Sequence, residues 1–271
     1  MKKTEKIERN LKAIATNRHL YTVFEDFIKI TAITLQNSCL VKSSPQWQKL
    51  EDEYLTIFNS YNKQDQALLV ECFAELVNVM QSTETPKDVL GTIFMDLGFS
   101  SDHEGQYFSP HEINSLMAKL QLGDLKTGFL KDQPFFTMSE PACGAGGMIL
   151  ATAEEVILQG FNPALRLWVQ AIDKSRIAGL MAYIQLSLWG IPAQIIIGDT
   201  LTLDFKEYWY TPTHILYGWS GKISQYYAKN ERNSPTIEAP TEAVTSSPTI
   251  KTEVKINAPI LANSEQIAFS F

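Results

Sequence analysis

Between Ile7 and Met80 the apolar positions keep a helical spacing. Phe24, Phe27, Ile28 and Thr31 follow one face, and Leu68, Leu69, Cys72, Phe73, Leu76, Val79 and Met80 follow another. This predicts an all-helical N-terminal region. It is broken at Ser43-Ser44-Pro45 and at Ser82-Thr83-Glu84-Thr85-Pro86, where proline restricts the residue before it and Ser or Thr can cap the helix that follows. A further helix is expected over about Lys87 to Leu97.

Beyond Gly98 the pattern changes. Pro134 to Met138 is a short apolar run, Gly144, Gly146 and Gly147 form a glycine-rich turn, and Met148 to Leu158 returns to helical spacing. Leu165 to Ile172 then reads as a buried strand. Ile177, Leu180, Met181, Ile184 and Leu188 read as a helix closed by Gly190 and Pro192, and Ile195 to Ile197 as a third strand. Strands alternating with helices imply an α/β fold with a mainly parallel sheet and right-handed crossovers. A fourth strand is expected at Thr213 to Tyr217. From Lys229 the chain is rich in Ser, Thr, Pro, Ala and Glu, without a sustained period, and is read as a disordered tail. The expected organisation is therefore a helical region over 1–98, an α/β domain over 99–228 and a tail over 229–271.

Composition narrows the function classes. Apolar residues at 45%, charged at 20% and aromatic at 11% describe a soluble globular protein and exclude disorder of the whole chain. A formal charge of −7 sets the bulk field against DNA, so any contact with nucleic acid is expected through a local patch or a partner. Cys39, Cys72 and Cys143 form no C-x-x-C pair and no disulfide framework, which fits a reducing cytoplasm. The basic residues Lys2, Lys3, Lys6 and Arg9 precede no apolar stretch, and no run approaches a membrane span, so neither secretion nor a membrane is expected. His19, His103, His111 and His214 lack metal-binding companions, and no metal is expected.

The chemistry concentrates in Glu140-Pro141-Ala142-Cys143-Gly144-Ala145-Gly146-Gly147, where the first strand passes into a helix. Glu140, Asp173 and Asp199 each follow one of the three strand-like runs. In an open parallel sheet ligands lie outside the carboxyl ends of the strands, so these acids would converge on one crevice. A P-loop is excluded because Met148, not lysine, follows Gly147, and the dinucleotide pattern fails at Ile149. An acid at the first strand's end would repel a pyrophosphate but accept a hydrogen bond from an amino-acid ammonium, while Asp173 could accept from ribose hydroxyls. S-adenosylmethionine carries both groups.

With Gly105-Gln106-Tyr107-Phe108-Ser109-Pro110 set before that turn, the chain resembles the N-6 adenine DNA methylases related to the modification subunit of type I restriction systems. Asp173, the helix through Met181 to Ile191, and Gly198-Asp199-Thr200-Leu201 are similar too, and the likeness runs roughly from Lys87 to Leu203. The resemblance implies a Rossmann-like S-adenosylmethionine-dependent methyltransferase core. Tyr107, Phe108, Ser109 and Pro110 would pack over the cofactor, Glu140, Ala142, Gly144 and Gly146 would hold its methionine part, and Asp199 would meet its adenine. It also implies DNA as substrate, with specificity or restriction subunits as candidate partners.

One family feature is missing. The [NDS]-P-P-[FY] segment, whose polar side chain and proline carbonyl accept from the target amine and whose aromatic ring stacks on the flipped base, has no match, because the chain holds no Pro-Pro pair. With a fourth strand at Thr213 to Tyr217, Gly218-Trp219-Ser220-Gly221 stands in its place, with Trp219 a candidate for base stacking and Ser220 for an amine contact. No residue is assigned as catalytic. Two functions stay open, an adenine-N6 DNA methyltransferase and a non-catalytic S-adenosylmethionine-binding or antirestriction-like partner of a modification complex. For Cys143 a small residue fitting a tight turn is preferred to a nucleophile. For Trp209, Tyr210, Tyr217, Trp219, Tyr226 and Tyr227 hydrophobic patching of the sheet is preferred to a stacking platform.

Overall fold

A computed structural model of the chain describes residues 2–99 and 108–233, the side chains of the last five excepted. The chain divides into two units, Met1–Lys229 and Asn230–Phe271. All described elements belong to the first, apart from the last turn of the final helix; the expected tail beyond that helix lies outside the described residues.

The N-terminal region is helical as the spacing predicts, with α1 at Glu5–Ile14, α2 at Leu20–Asn37, α3 at Pro45–Asn59, α4 at Lys63–Gln81 and α5 at Val89–Asp96. The sequence breaks act as caps. Ser44 accepts from the Trp47 amide with Pro45 in the first turn of α3, the Asn62 side chain caps α4, and Asp88 caps α5 through the Gly91 amide. Each cap satisfies amide donors that have no partner inside their own helix.

The second half alternates as expected, with α6 at His111–Leu122, β1 at Phe136–Glu140, α7 at Gly147–Leu158, α8 at Pro163–Arg166, β2 at Leu167–Asp173, α9 at Arg176–Leu188 and β3 at Ala193–Asp199. Strands β1, β2 and β3 are parallel neighbours, Phe136 opposite Leu167 and Val169 opposite Ala193.

The fourth strand differs from expectation. Strand β4 covers Asp204–Tyr210 and runs antiparallel on β3, with Gln194 opposite Tyr210, while residues 213–216 belong to α10 at Pro212–Leu216. Thr211 caps α10 with Pro212 behind it, a helix start and not a strand. As an edge strand β4 tolerates Asp204, Lys206 and Glu207, the charges that hide it from a search for apolar runs. The last helix, α11, spans Trp219–Asn233, so Gly218-Trp219-Ser220-Gly221 opens a helix and does not end a strand.

One sheet face, through Leu167, Val169, Ala171, Ala193, Ile195, Ile197 and Trp209, shares a continuous core with Phe24, Phe27, Leu76 and Phe94 of the helical region. Arg176 reinforces this junction. Its guanidinium reaches both carboxylate oxygens of Glu53 on α3 at 2.7 and 3.1 Å and of Glu207 on β4 at 2.8 and 3.0 Å. The opposite face carries a smaller cluster of Phe135, Trp168, Trp219 and Ile223, beside a polar row in which Gln170 donates to Gln194 and Gln194 to the Tyr210 hydroxyl. The patching reading therefore holds for Trp209 and Trp219, both buried. Trp219 packs edge-on against Phe135, 4.9 Å between centroids, and donates its indole N–H to the Ala164 carbonyl, so it is not placed to stack on a base. Ser220 is engaged with His214 at 2.9 Å.

His214 is buried between Ser220 and the Trp168 indole, which donates to its Nδ1 at 3.0 Å. Burial pushes its pKa down to about 4. The unfolded chain takes up this proton near pH 6.5 and the folded chain resists it until about 4, so stability is full above pH 6.5 and is lost as pH falls. Urea unfolding at pH 7.5 and pH 5 is expected to show a loss about 2 kcal/mol smaller in His214→Asn than in the unsubstituted chain. An identical pH dependence in both would contradict a buried neutral imidazole.

Candidate functional site

The carboxyl ends of β1 and β2 and the starts of α6 and α7 surround a cleft of about 420 Å³, within the range of small-molecule sites. Its floor is the turn that leaves β1. The Cys143 amide donates to the Ile172 carbonyl, extending the strand pairing by one bond, and the Gly146 amide closes a turn on the Cys143 carbonyl. Gly144 and Gly146 have φ of 54° and 92°, the left-handed region that a side chain resists. A Cβ at Gly144 would also lie 2.9 Å from the Phe108 ring.

Asp173 holds this turn from the neighbouring strand. One of its oxygens accepts from the Gly144 amide and the other from the Ser175 amide, both at 2.8 Å. Glu140 is half-buried; burial pushes its carboxyl up, the Ala142 amide draws it back, and the nearby Asp173 adds to the rise. Cys143 is buried, and its thiol is pushed well above the ordinary range by that burial and by Asp173 and Glu140, the opposite of an activated nucleophile.

Of the residues expected to bind a cofactor, Phe108, Ser109, Glu140, Ala142, Gly144 and Asp173 line this one cleft. Gly146 lies behind it, packed against Ala182 of α9. Pro110 is exposed at the start of α6, outside the lining. Tyr107 falls outside the described residues. Asp199 ends β3 but turns to its own loop, where one oxygen accepts from the Leu201 and Thr202 amides and the other meets Lys174 at 3.3 Å. These amides and then the lysine hold its carboxyl below the usual range. Thr200 links that loop to the glycine turn by donating to the Pro141 carbonyl at 2.7 Å.

Sequence reasoning missed Asp88, Asn114, Met117 and Met148, which with Cys143 and Gly147 complete the lining, and Gln185, which lies beneath it. Asp88 stands before an apolar run, the signature of a helix cap, and could have been found as one. Gln185 gives no such signal. It is fully buried within α9, and all its hydrogen-bonding capacity is used. Its Oε1 accepts from the Val89 and Leu90 amides at 2.7 and 3.1 Å, and its Nε2 donates to Asp88 at 2.9 Å and to the Ala145 carbonyl at 2.8 Å.

The cleft wall thus carries the carboxylates of Asp88, Glu140 and Asp173. Among the described residues no lysine, arginine or histidine lines it. Such a lining favours a cationic ligand over a phosphate, and the side-chain-free turn lets that ligand approach the backbone.

A sequence model of the family described as N-6 DNA methylase matches residues 88–225, just over half of the chain. No curated protein matches it. Among solved structures, a protein of Listeria monocytogenes described as a class I S-adenosylmethionine-dependent methyltransferase is 15% identical, with a TM-score of 0.39, over 73% of this chain and 54% of that one. The type I restriction-modification system methyltransferase subunit from Streptococcus thermophilus is 17% identical, with a TM-score of 0.38, over 73% of this chain and 39% of that subunit. The chain spans about half the length of the first and two-fifths of the second.

Replacing Gln185 by leucine keeps the bulk and strands the Val89 and Leu90 amides, the Ala145 carbonyl and one side of Asp88. The expected loss is at least 3 kcal/mol in urea unfolding, since each buried group left unpaired costs about 1–3 kcal/mol. Gly144→Ala is expected to cost about 1–2 kcal/mol from its backbone angle and to displace Phe108, which near-ultraviolet circular dichroism would register.

Proposed function

This chain belongs to the N-6 DNA methylase family, and from that premise we infer that its cleft binds S-adenosylmethionine for methyl transfer to the N6 amine of adenine in DNA, within a restriction-modification system. One observation carries the reading. Among the described residues the cleft is lined by three carboxylates and no basic side chain, around a turn whose glycines leave the backbone open. S-adenosylmethionine bears a sulfonium and an ammonium, and the residues present suit both charges. A nucleotide phosphate would meet these three acids with no lysine, arginine or histidine among the described lining to offset them.

When bound, the cofactor supplies an electrophilic methyl group. The chain's own residues bind and orient. Asp173 fixes the turn through the Gly144 amide and is the proposed ribose acceptor, and Glu140 at the end of β1 is the proposed acceptor for the ammonium. The Phe108 ring, held edge-on by Phe94 at 5.3 Å between centroids, packs over Gly144 of the turn. Asp199, fixed by two backbone amides, is the proposed partner of the adenine ring. Such placement is where much of a methyltransferase's rate is expected to arise. DNA would be met through a local patch or a partner such as a specificity or restriction subunit, since the net charge is −7.

A second reading rests on the sequence itself. These 271 residues hold no [NDS]-P-P-[FY] segment. That favours a protein that binds the cofactor within a modification complex, or acts as an antirestriction-like decoy, without transferring the methyl group.

Calorimetric titration of S-adenosylmethionine is expected to give micromolar binding, reduced at least tenfold in Asp173→Ala and in Gly146→Val. Absence of binding at millimolar cofactor would sink both readings. Transfer of tritiated methyl to unmethylated DNA, measured with and without the other subunits of a modification system, separates the enzyme from the non-catalytic partner.

A further inference from the structure

We propose that Asp88, at the N-cap of α5, is a second carboxylate for the amino-acid end of the cofactor, its Oδ2 accepting from the ammonium beside Glu140. This rests on the reading that the cleft binds S-adenosylmethionine. The geometry singles out this residue among the acids of the cleft. Both oxygens of Asp173 already accept from backbone amides and are assigned to the ribose, and Glu140 hangs from one amide contact of 3.4 Å. Asp88 is held more firmly and less completely. Its Oδ1 takes two donors, the Gly91 amide at 2.7 Å and the Gln185 side chain at 2.9 Å, and these fix the plane of the carboxylate. Its Oδ2 has no hydrogen-bond donor among the described residues. That oxygen lies over Gly91 of its own helix and beside the glycine turn, 3.4 Å from where a Cβ on Gly147 would stand, and Asp88 and Gly147 both line the cleft.

Energetics agree with the placement. Burial pushes the Asp88 carboxyl above the usual carboxylate range, against the pull of Gln185, the Gly91 amide and the more distant His111. No lysine or arginine among the described residues lines the cleft to compensate it. A ligand ammonium at Oδ2 would supply the missing counter-charge, and the charge-assisted hydrogen bond would be strong because both partners are withdrawn from water. The helical region would then do more than buttress the sheet, since its last cap would contribute directly to the binding site.

Asp88→Asn tests this without removing the cap, because asparagine caps a helix as well as aspartate does and keeps an oxygen for the Gly91 amide. The unsubstituted chain and Asp88→Asn would each be titrated by calorimetry with S-adenosylmethionine and with methylthioadenosine, which keeps the nucleoside and lacks the amino-acid part. Their thermal midpoints would be compared to establish that both are folded. The expected result is at least tenfold weaker S-adenosylmethionine binding in the variant, with methylthioadenosine affinity unchanged within twofold. Equal weakening for both ligands would make Asp88 a merely structural residue, and unchanged S-adenosylmethionine binding would remove it from the site; either overturns the proposal while the cofactor reading stands. Failure of the unsubstituted chain to bind S-adenosylmethionine would overturn both.

Discussion

A single buried amide holds the functional half of this molecule together. Gln185 sits at the centre of α9 and reaches in four directions, to two amides at the start of α5, to the Asp88 cap and to the carbonyl of Ala145 in the glycine turn. A polar group buried to this depth is tolerated only when every donor and acceptor is met, and a fully met network is rigid. The rigidity is shared by three pieces far apart in sequence. The helical region, the turn that leaves β1 and the helix behind it are thereby kept in one register, and the walls of the cleft are set before any ligand arrives.

Around this centre the packing is ordinary. Apolar side chains from one sheet face and from the N-terminal helices form a continuous core. Burial of each large side chain contributes about 1.5–3 kcal/mol, which favours compactness without dictating one arrangement. Directional contacts supply the arrangement. Arg176 clamps α3 and β4 from α9, Asp173 reaches from β2 to the turn after β1, and Thr200 ties the loop after β3 to Pro141. The sheet order β1-β2-β3-β4 leaves the strand that carries the turn at an edge. In a complete doubly wound sheet the first strand is central, and the crevice lies where the strand order reverses beside it.

Much of this was legible in the residues. Buried parallel strands announce themselves as apolar runs, so β1, β2 and β3 could be placed from Phe136, Val169 and Ile195 outward, and Ser44-Pro45 marked a helix start by local chemistry alone. Strand β4 escaped because an edge strand needs little burial, here Trp209 alone, and can fill other positions with charge. For Trp219 the preferred patching reading holds and the candidate base-stacking role does not, and nothing local says that it is Phe135 and Trp168 that enclose it. Glu140 and Asp173 were visible because they end strands, and the sheet brings strand ends together. Asp88 was legible only as a helix cap and Gln185 not at all, because the contact that joins them spans 97 positions of sequence.

The three carboxylates of the cleft also bear on turnover. With S-adenosylmethionine as the ligand, the incoming molecule carries two positive charges and, once its sulfonium has become a neutral thioether, retains one. A wall of Asp88, Glu140 and Asp173 attracts the first form more than the second, because each carboxylate loses an attraction that no lysine, arginine or histidine among the described lining residues was sharing. Loss of that charge then works toward release of the spent cofactor.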